Sequence, residues 1–211
     1  MLKTVVLIGG SGTNLQRLID LKNQGGLAIK IQAVISHRPD AYGLERAKAA
    51  DIPTLCLDHT CFPKREAFEA ELKTAILEMK PDLIILAGFM RILSADFVNT
   101  FAGTLINIHP SRLPLFKGLN THEAALAAGV RVHGATVHFV TADLDGGPII
   151  AQTTVTISPA ETAESLKLKV QISEYELYPQ VIRWFAEKRL CLRQDGVYLD
   201  NLLLPQEGIQ L

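Results

Sequence analysis

Cysteine is scarce in this sequence, with three residues among 211. Cys56, Cys61 and Cys191 cannot all pair with one another, and none of them belongs to a C-x-x-C motif. A disulfide framework is therefore excluded as the basis of the fold. The three thiols are typical of incidental cysteines in a reducing compartment.

An excess of either charge is also missing, because 21 Lys and Arg residues stand against 22 Asp and Glu residues. No run of Lys or Arg stands out, which argues against a nucleic-acid-binding surface. Long hydrophobic runs are missing as well, and the apolar stretch after Lys3 is too short for a signal peptide or a membrane span. We therefore expect a cytoplasmic protein with no nucleic-acid or membrane partner.

What the sequence does contain is an alternation of short apolar segments with amphipathic ones, and its length suits one well-filled domain. Predicted strands lie at 4–8, 29–36, 54–57, 83–87 and 105–109. Predicted helices begin near Leu15, span 42–50 and 62–79, and run from a Ser94 cap to Asn99. Strands that alternate with helices over short connections predict an α/β fold. We expect a single-domain, doubly wound (Rossmann-like) and mostly parallel sheet.

The second half of the chain predicts further strands and one long helix. Residues 132–139 and 149–157 each predict one strand. Residues 190–199 predict a hairpin, which a poorly structured tail follows.

The long helix has two possible N-terminal caps, Ser158 and Thr162. Its apolar residues continue at helical spacing beyond Leu166. Pro179 interrupts this pattern, so a kink or a break is expected near Tyr178.

Glycines and small polar residues follow the first strand directly, in the order Gly9-Gly10-Ser11-Gly12-Thr13-Asn14. Such a turn between a strand and a helix offers backbone amides to an anion at the helix N-terminus. It is a poor dinucleotide fingerprint, because Leu15 replaces the third small residue and the second strand ends at Ser36-His37-Arg38 without an acid. The turn therefore predicts a site for a phosphate monoester, with a purely structural tight turn as the alternative.

Asn107 and His109 lie on the predicted strand at 105–109 and point to one face of it, because Ile108 separates them. Pro110 ends this strand, so an amide and an imidazole emerge side by side at its carboxyl end. Open α/β sheets bind ligands at that place. A strand end with two partly buried polar groups is the structural alternative.

Several histidines in the second half invite a metal site. They have neither a helical i,i+4 spacing nor cysteine partners, so we predict no bound metal. The histidines concerned are His109, His122, His133 and His138.

Three further features have two interpretations each. The apolar segment 88–93 fits a pocket for a flat ring and a buried connection equally well. Arg65, in the first turn of its helix, fits a solvated side chain better than a ligand contact. Glu174 likewise fits an exposed helix carboxylate better than a functional group.

Four segments together carry a resemblance to a known family: 9–15, Ala87-Gly-Phe-Met-Arg-Ile-Leu93, Asn107-Ile-His109-Pro-Ser-Arg-Leu-Pro114 and Asp143-Leu-Asp145-Gly-Gly-Pro148. They resemble the phosphoribosylglycinamide formyltransferases, a family that uses 10-formyltetrahydrofolate in purine synthesis. The segment that begins at Asn107 is shared with methionyl-tRNA formyltransferase and formyltetrahydrofolate hydrolase. The loop Gly118-Leu-Asn-Thr-His122, the N-terminal turn and the length of 211 residues favour the glycinamide-specific family.

The resemblance implies one formyltransferase domain over 1–211, with a phosphate- and substrate-binding half at 1–103 and a catalytic and folate-binding half at 104–211. It implies 10-formyltetrahydrofolate as co-substrate, glycinamide ribonucleotide as acceptor, no metal, and a monomer or weak homodimer. The implied catalytic group is Asn107, His109 and Asp145. The implied ribonucleotide-binding residues are Gly12, Thr13, Asn14 and Glu174. The implied folate-binding residues are Arg65, Met90, Arg91, Ile92, Leu93, Asn107, Thr141, Ala142, Asp143, Leu144 and Asp145.

In the implied reaction, the glycinamide amine attacks the formyl carbon directly and a tetrahedral intermediate forms. Asn107 would donate a hydrogen bond to the oxyanion, His109 would stabilise it and return a proton to the leaving nitrogen, and Asp145 would position His109. The alternatives are another 10-formyltetrahydrofolate enzyme of the same fold, a nucleotide-binding dehydrogenase and a phosphate-binding regulatory module. The regulatory module has no use for these three side chains together.

Overall fold

The computed structural model describes residues 1–211 as a mixed α/β structure with a mostly parallel main sheet. Its strands are β1 (Leu2–Ile8), β2 (Ile29–Ser36), β3 (Thr54–Cys56), β4 (Leu83–Leu86), β5 (Leu105–His109), β6 (Val132–His133), β7 (Thr136–Phe139), β8 (Ile149–Gln152), β9 (Val155–Thr156), β10 (Leu190–Arg193), β11 (Gly196–Leu199), β12 (Leu202–Leu203) and β13 (Ile209–Gln210). Its helices are α1 (Thr13–Asn23), α2 (Gly43–Ala49), α3 (Arg65–Met79), α4 (Ala95–Thr100), α5 (Thr121–Ala127) and α6 (Ala163–Ala186). Backbone contacts divide the chain into two compact units, Met1–Ile106 and Asn107–Leu211.

The first unit has the parallel strands that the alternating pattern predicts. β1 pairs in parallel with β2 and with β4, and β2 pairs in parallel with β3. Val5–Ile8 is fully buried, as expected for a central strand covered on both faces. Ser94 caps α4 by accepting a hydrogen bond from the backbone N–H of Phe97 at 3.3 Å. The prediction of a doubly wound α/β fold is confirmed.

In the second unit, the prediction of one long strand each at 132–139 and 149–157 is wrong, because each of these segments contains two short strands. β7 pairs antiparallel with β8, and β6 pairs antiparallel with β9 in a separate sheet. At the division, the side-chain oxygen of Thr153 accepts from the backbone N–H of Ala135 at 3.3 Å. A hydroxyl thus replaces a carbonyl in the hydrogen-bond ladder, and the regular pairing stops there.

Helix α6 begins with a capping box at Thr162, which decides between the two predicted caps. Thr162 Oγ1 accepts from the backbone N–H of Ser165 at 3.2 Å, and Ser165 Oγ accepts in return from the backbone N–H of Thr162 at 3.0 Å.

None of the helices combines the length and the apolar composition that a membrane span requires.

Of the kink or break predicted near Tyr178, the break is wrong, since α6 continues through Pro179. A proline inside a helix costs about 3 kcal/mol. The neighbouring Leu177, Tyr178, Val181 and Ile182 are all fully buried. Each such side chain contributes about 1.5–3 kcal/mol when it is buried. Their combined burial outweighs the cost of the proline.

The hairpin predicted at 190–199 is confirmed by the antiparallel pair of β10 and β11. The tail after it is not unstructured, because β12 pairs with β11 and β13 pairs in parallel with β8. Each of these strands has two residues, too short for a sequence pattern to indicate.

Candidate active site

His109 and Asp145 form a buried pair in the second unit. His109 is the last residue of β5, and Asp145 lies in the turn between β7 and β8. The Nδ1 atom of His109 lies 3.5 Å from Oδ2 of Asp145, and their side chains are 7% and 9% exposed. Sequence reasoning placed Asn107 and His109 on one strand, and the structure adds the contact with Asp145.

The hydrogen bonds of His109 fix its tautomer. Its Nε2 lies 2.9 Å from the carbonyl oxygen of Phe116, which can only accept, so Nε2 carries a proton. In the neutral ring, Nδ1 is then unprotonated and faces the carboxylate of Asp145. A second proton on this ring must sit on Nδ1, where it would pair with Asp145.

Asn107 is oriented by His138, a contact that sequence reasoning missed. The Nδ1 atom of His138 donates to the carbonyl of Phe139 at 2.8 Å, so its Nε2 accepts from the side-chain amide of Asn107 at 3.2 Å. Burial lowers the pKa of His138, which keeps this ring neutral and its Nε2 an acceptor. The approach of His138 Nε2 to Asp145 Oδ1, 3.8 Å, is therefore not an ion pair. The amide of Asn107 keeps one N–H for another acceptor.

The geometry of the turn that holds Asp145 explains two residues of the sequence Asp-Gly-Gly-Pro, Asp145 and Gly147. Asp145 has a φ of +47°, a left-handed conformation that aspartate tolerates better than most residues. Its Oδ2 accepts from the backbone N–H of Gly118 at 2.8 Å. A side chain at Gly147 would place its Cβ 1.8 Å from the carbonyl oxygen of Phe139, so only glycine fits. The preceding residues Thr141, Ala142, Asp143 and Leu144 form the outer part of the same loop, and the last three are exposed.

Two further histidines lie close together in the second unit. The rings of His122 and His133 have centroids 5.3 Å apart, and Phe116 packs on His133 at 5.7 Å. His133 is 1% exposed, and burial lowers its pKa from 6.5 to about 4. Burial also lowers the pKa of His122. Both rings are therefore neutral at pH 7.

These lowered pKa values predict acid sensitivity of the fold. Below pH 6.5 His133 becomes protonated in the unfolded chain but stays neutral in the folded protein until about pH 4, so the unfolded state gains protons and the free energy of unfolding falls. For His133 alone we expect a loss of about 1–2 kcal/mol between pH 7.5 and pH 5. Urea unfolding at both pH values measures it. The variant His133→Phe, which keeps an aromatic ring, should lose less stability on acidification than the wild type, and an equal loss would contradict the assignment.

The glycine-rich turn lies in the first unit, between β1 and α1. Gly12 is the N-cap of α1 with a φ of +70°, and Thr13 and Asn14 are the first residues of the helix. The turn is held by Gly43, whose N–H donates to the carbonyl of Gly10 at 3.1 Å. Arg46 donates to the carbonyl of Ser11 at 2.8 Å, which places a cation beside the helix N-terminus. Sequence reasoning missed Arg46, because nothing in the sequence pattern of α2 indicates that this side chain points toward the glycine-rich turn.

Gly12→Val should weaken binding of a phosphate-bearing ligand. A Cβ at Gly12 would lie 2.6 Å from Cα of Gly43, and its positive φ disfavours any side chain. Titration calorimetry with glycinamide ribonucleotide should show at least about ten-fold weaker binding, while folate binding should barely change. The control is Gly26→Ala at the other end of α1, where a Cβ meets ordinary contacts. Equal weakening of both ligands in a folded Gly12→Val variant would make this turn purely structural.

Arg65 is not simply solvated, which corrects the interpretation from sequence alone. Its Nε donates to Oε1 of Glu69 at 2.7 Å, and its side chain is 40% exposed. Glu69 is buried and also accepts from the backbone N–H of Ser94 at 2.9 Å and from the Ser94 hydroxyl. Glu69 therefore connects the start of α3 to the end of the loop after β4. Within that loop Met90 and Ile92 are exposed, Arg91 is half-buried and Leu93 is buried.

Glu174 is also not the exposed carboxylate that the sequence alone favoured. It lies on α6 and is 7% exposed. No group of three or more His, Cys, Asp or Glu side chains in the structure is arranged to hold a metal ion.

Comparison with known proteins agrees with this arrangement. The formyl transferase family model matches residues 2–182. The phosphoribosylglycinamide formyltransferase of Escherichia coli (strain K12) is 46% identical over 204 residues, which are 97% of this chain and 96% of that protein. The enzyme of the same name from Haemophilus influenzae is 44% identical over 99% of this chain and 98% of its own length. The solved structure of phosphoribosylglycinamide formyltransferase from Coxiella burnetii is 52% identical with a TM-score of 0.96, over 100% of this chain and 99% of that one. The chain therefore belongs to the formyl transferase family, among its phosphoribosylglycinamide formyltransferases.

Proposed function

We propose that this protein transfers the formyl group of 10-formyltetrahydrofolate to the amine of glycinamide ribonucleotide, with Asn107, His109 and Asp145 as its catalytic group. The observation that carries the proposal is the buried His109–Asp145 pair, 3.5 Å apart, in a chain that matches formyltransferases over nearly its whole length. This pair and the amide of Asn107 offer a proton and a hydrogen-bond donor, the two things that acyl transfer to an amine requires.

Asn107 supplies the donor for the oxyanion. When the amine attacks the formyl carbon, the formyl oxygen becomes negative and a tetrahedral intermediate forms. One N–H of the Asn107 amide is engaged by His138, and the other is available for that oxygen. Because His138 holds the amide before the reaction begins, little reorganisation is needed as charge develops.

His109 supplies the proton through Nδ1. Its Nε2 is engaged by the Phe116 carbonyl, so Nδ1 is the nitrogen that gains and loses a proton. In the charged ring, Nδ1 lies 3.5 Å from Oδ2 of Asp145 and its N–H can also donate to the oxyanion, after which it passes its proton to the leaving nitrogen of the folate. The proton that the attacking amine loses restores the charged ring. Asp145 lies beside Nδ1, and its carboxylate can accept a hydrogen bond from a protonated Nδ1.

The substrate-binding assignments follow the sequence resemblance. Gly12, Thr13 and Asn14 bind the ribonucleotide phosphate at the N-terminus of α1, with Arg46 nearby, and the buried carboxylate of Glu174 accepts from the ribose hydroxyls. Residues 1–103 thus bind the phosphate, and 104–211 carry the catalytic group. The residues that bind the folate are Arg65, Met90, Arg91, Ile92, Leu93, Asn107, Thr141, Ala142, Asp143, Leu144 and Asp145.

We further propose a cytoplasmic enzyme that is a monomer or weak homodimer and binds no nucleic acid.

A steady-state assay with two acceptors tests the function. We expect formyl transfer to glycinamide ribonucleotide, and a KM at least about ten-fold higher for the analogue that lacks the phosphate. Equal KM values for the two acceptors would contradict the phosphate site, and transfer to neither would contradict the function.

Glu69 should affect folate use rather than catalysis. Because Glu69 holds both Arg65 and Ser94, Glu69→Gln should raise the KM for formyl-folate about three- to ten-fold with a smaller effect on kcat. The matched control is Glu66→Gln, because Glu66 is an exposed glutamate in the first turn of α3. Steady-state kinetics with each substrate varied in turn measures both constants. An unchanged folate KM would contradict the role of Arg65 and the loop after β4.

A further inference from the structure

The turn after His109 is fixed by buried side-chain hydrogen bonds that the proposed mechanism does not use. Thr136, on β7, donates its hydroxyl to the carbonyl of Ser111 at 2.6 Å and accepts from the N–H of Leu113 at 3.1 Å. Gln152, the last residue of β8, donates to the carbonyl of Leu113 at 2.8 Å and to Oγ1 of Thr136 at 2.9 Å. Thr136 is fully buried and Gln152 is 2% exposed. The turn is therefore attached to β7 and β8 through three backbone groups, the carbonyl of Ser111 and the N–H and carbonyl of Leu113.

The direction of the Gln152 amide is determined by its partners. Both of its N–H groups are used, so its oxygen must accept, and the side-chain amide of Gln210 donates to it at 3.3 Å. Rotating the Gln152 amide by half a turn would place its oxygen against the carbonyl of Leu113 and leave a buried acceptor without a donor. Gln210 lies on β13, and its own oxygen accepts from Arg112 at 3.2 Å. Gln210 is thus a third partner that supports the amide orientation already favoured by Leu113 and Thr136.

The same turn sets the position of the group that fixes His109. The N–H of Ser111 donates to the carbonyl of His109 at 2.8 Å, and the Ser111 hydroxyl donates to the carbonyl of Leu115 at 2.7 Å. The next residue is Phe116, whose carbonyl accepts from Nε2 of His109. A displaced turn would therefore displace the carbonyl that keeps Nδ1 of His109 directed at Asp145.

We propose that Gln152 is a positioning residue for formyl transfer, and that Gln210 orients it from β13. Together they hold the turn 111–115, and through the Phe116 carbonyl they select the His109 tautomer with the proton on Nε2. The proposal rests on the proposed catalytic role of His109. Gln210 lies outside residues 2–182, the part of the chain that matches the formyl transferase family model.

Two substitutions and a control test this role by kinetics. Gln152→Met keeps the approximate volume and removes the hydrogen bonds, and we expect kcat to fall about 10–100-fold with the KM values changed less than about three-fold. Gln210→Ala, at an exposed position, should lower kcat about two- to ten-fold. Gln206→Ala, in the same tail but outside this hydrogen-bond network, should leave kcat unchanged. The double variant at 152 and 210 should be no worse than Gln152→Met, because both residues act through one chain of hydrogen bonds.

The tautomer of the His109 ring can be measured directly, and a purely structural role of Gln152 and Gln210 would leave it unchanged. In protein with ¹⁵N-labelled histidine and no substrate, the nitrogen shifts should show His109 protonated on Nε2 in the wild type and in Gln206→Ala. Gln210→Ala and Gln152→Met should show a larger share of the Nδ1-protonated tautomer. These spectra need no turnover, so they test the positioning role even if the protein proves not to transfer a formyl group.

Either of two results would overturn the proposal. One is a folded Gln152→Met or Gln210→Ala variant with wild-type kcat, even with a lower melting temperature. The other is a loss of kcat with unchanged His109 shifts. If Gln152→Met does not fold, Gln210→Ala decides by the same two criteria.

Discussion

Asn107→Ala is expected to lower kcat for formyl transfer by about 10²–10³-fold, the usual cost of removing one oxyanion donor. The reason is the fixed direction of the amide, whose contact with His138 at 3.2 Å leaves one N–H free for the formyl oxygen. Because the donor acts mainly when charge develops on that oxygen, the KM for formyl-folate should change much less than kcat. Single-turnover formyl transfer measures the chemical step without product release.

The matched control for this variant is Asn99→Ala, an exposed asparagine on α4. It should have wild-type turnover. If Asn107→Ala instead raises KM with an unchanged single-turnover rate, the amide binds substrate and does not stabilise the oxyanion.

The second large effect concerns His109 and Asp145 as one unit. We expect His109→Ala and Asp145→Asn each to lower turnover by about 10²–10⁴-fold, because each removes either the proton donor or the charge that supports it. Groups that act together are not additive. The double variant should therefore be little worse than the poorer single variant. Single-turnover rates for the wild type and the three variants measure this coupling.

Asp143→Asn is the control for the charge change, since Asp143 is exposed in the same loop. Its binding role in the loop predicts at most a change in KM for folate, with the single-turnover rate at saturation unchanged. If the losses in His109→Ala and Asp145→Asn simply multiply in the double variant, the two residues are neighbours without a shared function.

The features that the sequence predicted most reliably are those that depend on residues close together in the chain. The parallel strands of the first unit are runs of buried apolar residues, and both the glycine turn and the Ser94 cap have local chemical signatures. Asn107 and His109 could be placed on one strand face because alternation is a local property. Their contact with Asp145 was implied by the resemblance and not by spacing.

The features that the sequence could not indicate depend on contacts between residues that are far apart in the chain. The burial of Glu69 requires α3 to pack beside Ser94, and the amide contact of His138 requires β7 to bring it to Asn107. The division of the strands at Thr153 depends on one hydroxyl that replaces a backbone acceptor. The break predicted near Pro179 was wrong for a related reason, since the helix around it is held by tertiary burial and not by propensity.

The fate of a labelled formyl group distinguishes transfer to glycinamide ribonucleotide from hydrolysis of the formyl-folate. Purified protein is mixed in excess with ¹³C-formyl-labelled 10-formyltetrahydrofolate and glycinamide ribonucleotide, and the products of one turnover are identified by mass spectrometry. We expect the label to appear on the ribonucleotide amine, and Asn107→Ala and His109→Ala to slow this transfer. Label released as formate would contradict it and indicate a hydrolase of the same fold, and label left on the folate would exclude formyl transfer altogether.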